Sequence, residues 1–370
     1  MSKADGSKLV VFGGPEVIYS PGYTFTCNKT TLHAVEITSA GSVTDGTALL
    51  AQTTTGVHTR AMVVADFNGD SHDDLFVANH GCDDPSKNMQ NETNNLFLSS
   101  GHQITDASSE VSGLPPAFTH SVAAAATGYS QDVDVLVGVM GGDGPYILRG
   151  DGAGHFTKDT SSLASLGEYA SAKFVDVNGD SMADLVVGYD QSGATAGAVL
   201  LNDGKGYFKG PAIPLPVGVM GANNTIIVGI ESTDVNGDGK ADLILSSSQN
   251  APTYYGNGRL QVLIGDGDGT FTDKTSAYLP VNNNRAWTQA VHVVDLDSDG
   301  KLDLLLQTEN PQVNDVIAYK NNGTNFTPIA RSDLPPSVIT LIPVKNNSTL
   351  SLVSLVPNGL AVTATMYQLK

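Results

Sequence analysis

The sequence predicts an all-β fold, a seven-bladed β-propeller making one domain of residues 1–370, and three observations carry that expectation. An acidic segment recurs four times, each copy running into an apolar strand. A Gly/Asp-turn hairpin recurs in phase with it. The composition, 40% hydrophobic and 15% charged with 40 Gly and 17 Pro, suits many short strands joined by tight turns.

The acidic segments are "DFNGDSHDDL" from 66, "DVNGDSMADL" from 176, "DVNGDGKADL" from 234 and "DLDSDGKLDL" from 295. The last three are evenly spaced, and the gap after the first is about twice theirs. In that gap "TGYSQDVDVLVGVM" reads as a worn copy, with Asp132 and Asp134 leading into a strand. The hairpins are "YILRGDGAGHFT" from 146, "AVLLNDGKGYFK" from 198, "QVLIGDGDGTFT" from 261 and "VIAYKNNGTNFT" from 316. Each shows apolar alternation, a turn, then an aromatic residue and Thr or Lys. Before each loop lies an inner strand: "RAMVVA", "HSVAAAA", "ASAKFV", "IIVGIES" and "AVHVV". The end, "SVITLIPVKNNSTLSLVSLVPNGLAVTAT", reads as another worn unit. "KLVVFGGP" with "LHAVEIT" reads as a first unit lacking its inner strand, which predicts closure by pairing of N- and C-terminal segments in one blade. Seven four-stranded units of roughly 50 residues describe a propeller, whereas the repeats of a parallel β-helix are much shorter.

Positions 1, 3, 5 and 9 of every acidic loop carry side-chain oxygen. They are Asp66, Asn68, Asp70 and Asp74; Asp176, Asn178, Asp180 and Asp184; Asp234, Asn236, Asp238 and Asp242; and Asp295, Asp297, Asp299 and Asp303. Position 7 (His72, Met182, Lys240, Lys301) varies in type because it offers only a backbone carbonyl, as in Ca2+ loops of the D-x-[DN]-x-[DN]-G kind. Gly is expected at position 6, so Ser71 and Ser181 are departures. Solvated Asx turns are the bland alternative. Four copies of one oxygen pattern, with carboxylates that repel unless neutralised, favour a cation instead. The expected cofactor is Ca2+ at about four sites, pinning inner strands; Mg2+ fits less well because it keeps its waters.

These loops, followed by "LNDGKGYF"-type hairpins, resemble the FG-GAP/VCBS repeat family, which includes the seven-bladed propeller of integrin α subunits and many secreted bacterial and fungal proteins. The likeness covers nearly the whole chain, although the worn units near 126 and 343 lack the full ligand set. It implies Ca2+ in the four loops. It does not fix a function, because the family includes adhesion domains, lectin-like propellers and polysaccharide-active enzymes.

A net charge of -19, with only 19 Lys and Arg, argues against nucleic acid or an anionic membrane as partner. No apolar run is long enough to span a bilayer. The start "MSKADGSKLVV" lacks the apolar core of a signal peptide, so the chain is either intracellular or a trimmed form of a secreted protein, and the second is the expectation. Cys27 and Cys82 are too few for a disulfide scaffold or a zinc site. Both follow the second strand of neighbouring blades, so they either pair, favouring an extracellular setting, or stay free.

If the acidic loops join strands one and two, entries to strand one and the loops between strands two and three line the opposite face. The entries offer His58, Arg60, His120, Tyr169, Arg285 and Trp287, and the loops offer His80, Tyr254, Tyr255 and Arg259. Each has a bland role as turn, packing or plug residue, yet aromatic planes beside Arg and His suit an acidic sugar or peptide. The function expected is a monomeric recognition module binding glycan or protein through this funnel. The alternative is a polysaccharide lyase in which His58 or His120 is the general base and an Arg neutralises a uronate. No nucleophile elbow, P-loop or dinucleotide fingerprint is present.

Overall fold

The computed structural model describes the chain except residues 4–6, 14–26, 28, 41, 51–53, 83–89, 102, 112, 142–143, 165–166, 191–195, 251–255, 281–287, 309–315, 335–339, 347–348, 359–360 and 369–370. The chain forms two compact units. Unit one is Met1–Tyr169, Gly204–Tyr207 and Pro357–Val362; unit two is Ala170–Asp203, Phe208–Val356 and Thr363–Lys370.

In unit one, β1 (Lys8–Gly13) pairs with β2 (Lys29–Ile37), which also pairs with β3 (Val43–Asp45) and β4 (Thr54–Val57). The second blade is β5 (Thr59–Ala65), β6 (Asp74–Asn79), β7 (Asn95–Ser99) and β8 (Ile104–Asp106). The third is β9 (Phe118–Ala126), β10 (Val133–Met140), β11 (Tyr146–Gly150) and β12 (Phe156–Asp159). The fourth blade is β13 (Tyr169–Val175), β14 (Asp184–Tyr189), β15 (Gly197–Leu200) and β16 (Ile213–Pro214). Unit two continues with β17 (Thr225–Thr233), β18 (Asp242–Gln249), β19 (Gly256–Gly265) and β20 (Phe271–Asp273), then β21 (Thr288–Val294), β22 (Asp303–Thr308), β23 (Ala318–Asn321) and β24 (Phe326–Pro328). The last sheet is β25 (Thr340–Asn346), β26 (Thr349–Asn358) and β27 (Ala361–Gln368).

The fold is all-β and of the β-propeller class, with six four-stranded blades among the described residues rather than the seven predicted. Among the described residues the C-terminal sheet has three strands. The predicted N- to C-terminal closure within one blade is also not seen among the described residues. β27 pairs only with β26, and β2 takes β4 as its additional partner.

Second strands are apolar almost without interruption because both their faces are covered. In β6, Leu75 and Val77 join the layer with Leu9, Leu32 and Ala34 of the first sheet, whereas Phe76 and Ala78 join Val135, Val137 and Tyr146 of the third blade. In β18, Leu243 and Leu245 pack with Val186 and Val199, and Ile244 packs with Leu304 and Leu306. Successive side chains of a strand point to opposite faces, so one strand supplies two inter-blade cores.

The acidic loops join β5 to β6, β13 to β14, β17 to β18 and β21 to β22, as the repeats predict. Their sixth positions all lie in the left-handed region: Ser71 (φ 67), Ser181 (φ 68), Gly239 (φ 82) and Gly300 (φ 84). Serine pays a steric penalty there that glycine avoids. Ser181→Gly is expected to stabilise unit two by about 0.5–1 kcal/mol, read as a higher urea midpoint. A lower midpoint would show that the hydroxyl does something the backbone account omits.

Candidate functional site

The acidic loops share one hydrogen-bonding scheme. In the loop after β5, Asp66 accepts from the N–H groups of Gly69 (2.7 Å) and Ser71 (2.7 Å), Asn68 from Asp70 (3.0 Å), and Asp70 from His72 (2.9 Å). The loops opened by Asp176, Asp234 and Asp295 keep the position 1, 3 and 5 acceptors, for example Gly239 N–H to Asp234 at 2.8 Å and Lys301 N–H to Asp299 at 2.9 Å. Backbone amides thus hold the oxygens in place.

The ninth position is different. Asp74, Asp184, Asp242 and Asp303 are fully buried, and each ties its loop to the third strand. Asp242 accepts from Val235 N–H (2.8 Å) and Gly265 N–H (2.8 Å); Asp303 accepts from Leu296 (2.8 Å) and Asn321 (2.7 Å). Burial pushes the Asp74 carboxyl up to about 6 against two amide hydrogen bonds, with the charges of Asp70 and Asp66 adding to the rise. Burial likewise raises Asp184, Asp242 and Asp303. One oxygen each from Asp295, Asp297 and Asp303 lies within 4.8 Å of the others. Two ligands of one Ca2+ can be no farther apart than twice a bond of about 2.4 Å, so this hard-oxygen set fits that ion.

The worn loop of the third blade is neutralised from within the chain. Asp134 is fully buried and accepts from Gly150 N–H at 3.1 Å, the counterpart of the ninth-position tie elsewhere. Its other oxygen accepts from Arg149 Nη1 at 2.7 Å and Thr127 Oγ1 at 2.5 Å. Arg149 also donates to Asp159 (3.1 Å) and to the Gly206 carbonyl (2.7 Å) and lies over the Tyr129 ring at 4.5 Å. Although burial pushes Asp159 up, hydrogen bonds from Ser162, Ser161 and Arg149 hold it at about 2. A Cβ at Gly206 (φ 79) would stand 2.6 Å from Thr127 Oγ1 and 2.9 Å from Tyr129 Cβ, so only glycine brings this carbonyl to the guanidinium. The fourth blade's return strand is β16, which pairs with Ala198 and Val199 of β15.

At the other end of the inner strands, unit one gathers three histidines and an arginine. β5 pairs with β6 as Thr59 opposite Asn79 at one end and Ala65 opposite Asp74 at the other, so His58 and His80 emerge side by side, away from the acidic loop. His80 N–H donates to the His58 carbonyl at 2.9 Å. His120, near the start of β9, brings its Nε2 to 2.6 Å from His80 Nε2. Ring centroids are 5.0 Å apart for His58 and His80, and 5.2 Å for His80 and Phe118. Between Thr59 and Ala61 the register shifts, so Arg60 is the extra residue of a β-bulge, a device that re-aims a side chain. His80 and His120 are 6% and 8% exposed, and His120 Nδ1 is buried with no hydrogen-bond partner. Burial, with the charges of neighbouring His80 and Arg60 adding, pushes His58 down to about 3. Burial, then Arg60 and the other two histidines, holds His120 well below its ordinary value.

These shifts predict acid lability. The unfolded imidazoles take up a proton near 6.5 and the folded ones resist it, so stability is full above about pH 6.5 and falls as pH drops toward 3. Each imidazole contributes at most about 1.4 kcal/mol per pH unit. Urea unfolding at pH 7.5 and 5 is expected to show a larger loss for the native chain than for His120→Gln; the comparison cancels the acidic loops, which titrate in both. Equal losses would count against the cluster.

Of the predicted ligand residues, Arg60 and His80 thus meet the catalytic candidates His58 and His120. Tyr169 is fully buried, its carbonyl accepting from Ser121 Oγ at 3.2 Å. It stands at the first position of β13, with its side chain in the core. Arg259 lies in unit two, paired with Ser247 at the end of β18 away from the acidic loop. Tyr254, Tyr255, Arg285 and Trp287 lie outside the described residues. Cys27 and Cys82 form a disulfide with Cα atoms 5.1 Å apart, two residues beyond His80. No helix among the described residues is long and apolar enough to cross a membrane.

No curated protein sequence matches this chain significantly. Among solved structures, the chain is similar to an Agrocybe aegerita lectin that recognises non-reducing terminal N-acetylglucosamine (18% identity, TM-score 0.44, 87% of this chain and 89% of that one). It is similar to the major Malassezia sympodialis allergen (12%, TM-score 0.41, 77% and 85%) and to an exotype rhamnogalacturonan lyase (11%, TM-score 0.40, 97% and 68%). At these levels no ligand or reaction transfers. The sequence itself is more specific: residues 176–245 and 234–306, which span three of the four acidic loops, match the FG-GAP-like repeat family. The chain carries FG-GAP-like repeats.

Proposed function

We propose that the protein is a secreted, monomeric recognition module, stabilised by Ca2+, that binds an acidic glycan or protein group at the end of the blades opposite the acidic loops. The observation that carries this reading is the convergence of His58, Arg60, His80 and His120 at the strand entries of the second and third blades. A bulge-borne arginine beside imidazoles offers a cation and hydrogen-bonding nitrogens to a carboxylate. The Cys27–Cys82 disulfide beside the cluster supports an extracellular setting. In each acidic loop the side chains of positions 1, 3, 5 and 9 and the carbonyl of position 7 would hold Ca2+, which supplies the charge that the crowded carboxylates lack.

A lyase would use the same residues. A general base works best with a pKa near the operating pH, and His58 at about 3 is a poor proton acceptor, which favours the binding reading. The test is a glycan array that includes uronate polymers, followed by titration of the best ligand into native protein and Arg60→Ala. Loss of one charge-assisted contact is expected to weaken binding by about 10- to 100-fold with an unchanged melting temperature. Undiminished binding by Arg60→Ala would remove the site. An ultraviolet-absorbing unsaturated product from the uronate polymers would turn the reading toward the lyase.

A further inference from the structure

One register position in the third strand decides how each acidic loop is neutralised. It is the residue just before the amide that donates to the ninth-position aspartate. That amide belongs to Ser99, Gly150, Asn202, Gly265 and Asn321 in successive blades. The residues before them are Leu98, Arg149, Leu201, Ile264 and Lys320. Three are aliphatic, in the blades whose loops are opened by Asp66, Asp176 and Asp234. Arg149 faces the worn loop, where its guanidinium takes the buried carboxylate itself. Lys320 is the intermediate case: its loop keeps every oxygen ligand, yet its ammonium bonds Asp297 and reaches Asp299 at 3.2 Å. Lys301, from within the loop, adds a second ammonium on Asp299 at 3.2 Å.

We infer that Lys320 is an internal competitor for Ca2+ that makes the 295–303 loop the weakest of the four cation sites. The inference rests on the Ca2+ reading above. A divalent ion entering that loop must displace the ammonium from the third- and fifth-position carboxylates, and it then meets a positive charge that no other acidic loop has at this register. The oxygens of Asp295, Asp297 and Asp303 are spaced for an ion, so weakness arises from competition and not from a missing ligand. The loop is therefore the one poised to fill and empty with changing Ca2+ concentration, while the other three stay loaded.

Titration calorimetry of Ca2+ into chelator-stripped full-length protein tests this, with Lys320→Met, Lys320→Arg and Asp295→Asn as variants. The native chain is expected to show one weak site beside tighter ones, and Asp295→Asn to abolish the weak one. Lys320→Met should tighten that site about tenfold, from the lost ion pair and the lost repulsion, without changing the number of sites. Lys320→Arg should keep it weak. Unchanged weak-site affinity in Lys320→Met, or four equal sites in the native chain, overturns the role of Lys320 while leaving Ca2+ binding standing. No Ca2+ uptake by any of the proteins overturns both.

Discussion

Arg149→Met is expected to lower the unfolding free energy by about 3–5 kcal/mol, because it leaves the Asp134 carboxylate buried without its cation. The size follows from burial. Arg149 and Asp134 side chains are 6% and 0% exposed, so water replaces little of what the guanidinium supplied. Met keeps most of the volume, which separates lost charge from lost packing. Arg149→Met combined with Asp134→Asn should recover part of the loss, since the amide is neutral and its oxygen still accepts from Gly150 N–H. Urea denaturation measures both. A loss below about 1 kcal/mol, or no recovery in the double variant, would place this pair among the weakly contributing surface ion pairs.

Removal of the proposed Ca2+ is the other large expected effect. A site held at about a hundred times its dissociation constant stabilises the native state by about 2.7 kcal/mol. Unit two contains three of the acidic loops and unit one contains only that of Asp66, while the worn loop of unit one is neutralised by Arg149. Excess chelator should therefore destabilise unit two by several times more than unit one, with a fall of roughly 10 °C or more in its melting temperature. Hydrogen exchange resolved along the chain separates the units. Equal loss of protection in β6 and β18 would contradict the assignment of cations to loops.

Much of this was legible in the sequence because repetition exposes geometry. Position-by-position agreement of four loops located the strand ends. The apolar residues after each loop marked the second strands. What stayed hidden depended on contacts the repeat pattern does not encode. Arg149 occupies a position that Leu98, Leu201 and Ile264 fill elsewhere, a visible exception whose meaning appears only with Asp134 buried beside it. The bulge that turns out Arg60 arises from a one-residue slip against β6, which strand periodicity cannot show. Tyr169 does open β13, as the repeats predict, but its side chain is buried, which strand position alone cannot show.

Metal analysis after equilibrium dialysis against millimolar Ca2+ tests the proposed binding of cations by the acidic loops most directly. The prediction is four Ca2+ per chain, with one lost in each of Asp66→Ala, Asp176→Ala, Asp234→Ala and Asp295→Ala, and none lost on changing Asp134. A chain that retains no Ca2+ and melts at the same temperature with and without chelator would contradict it.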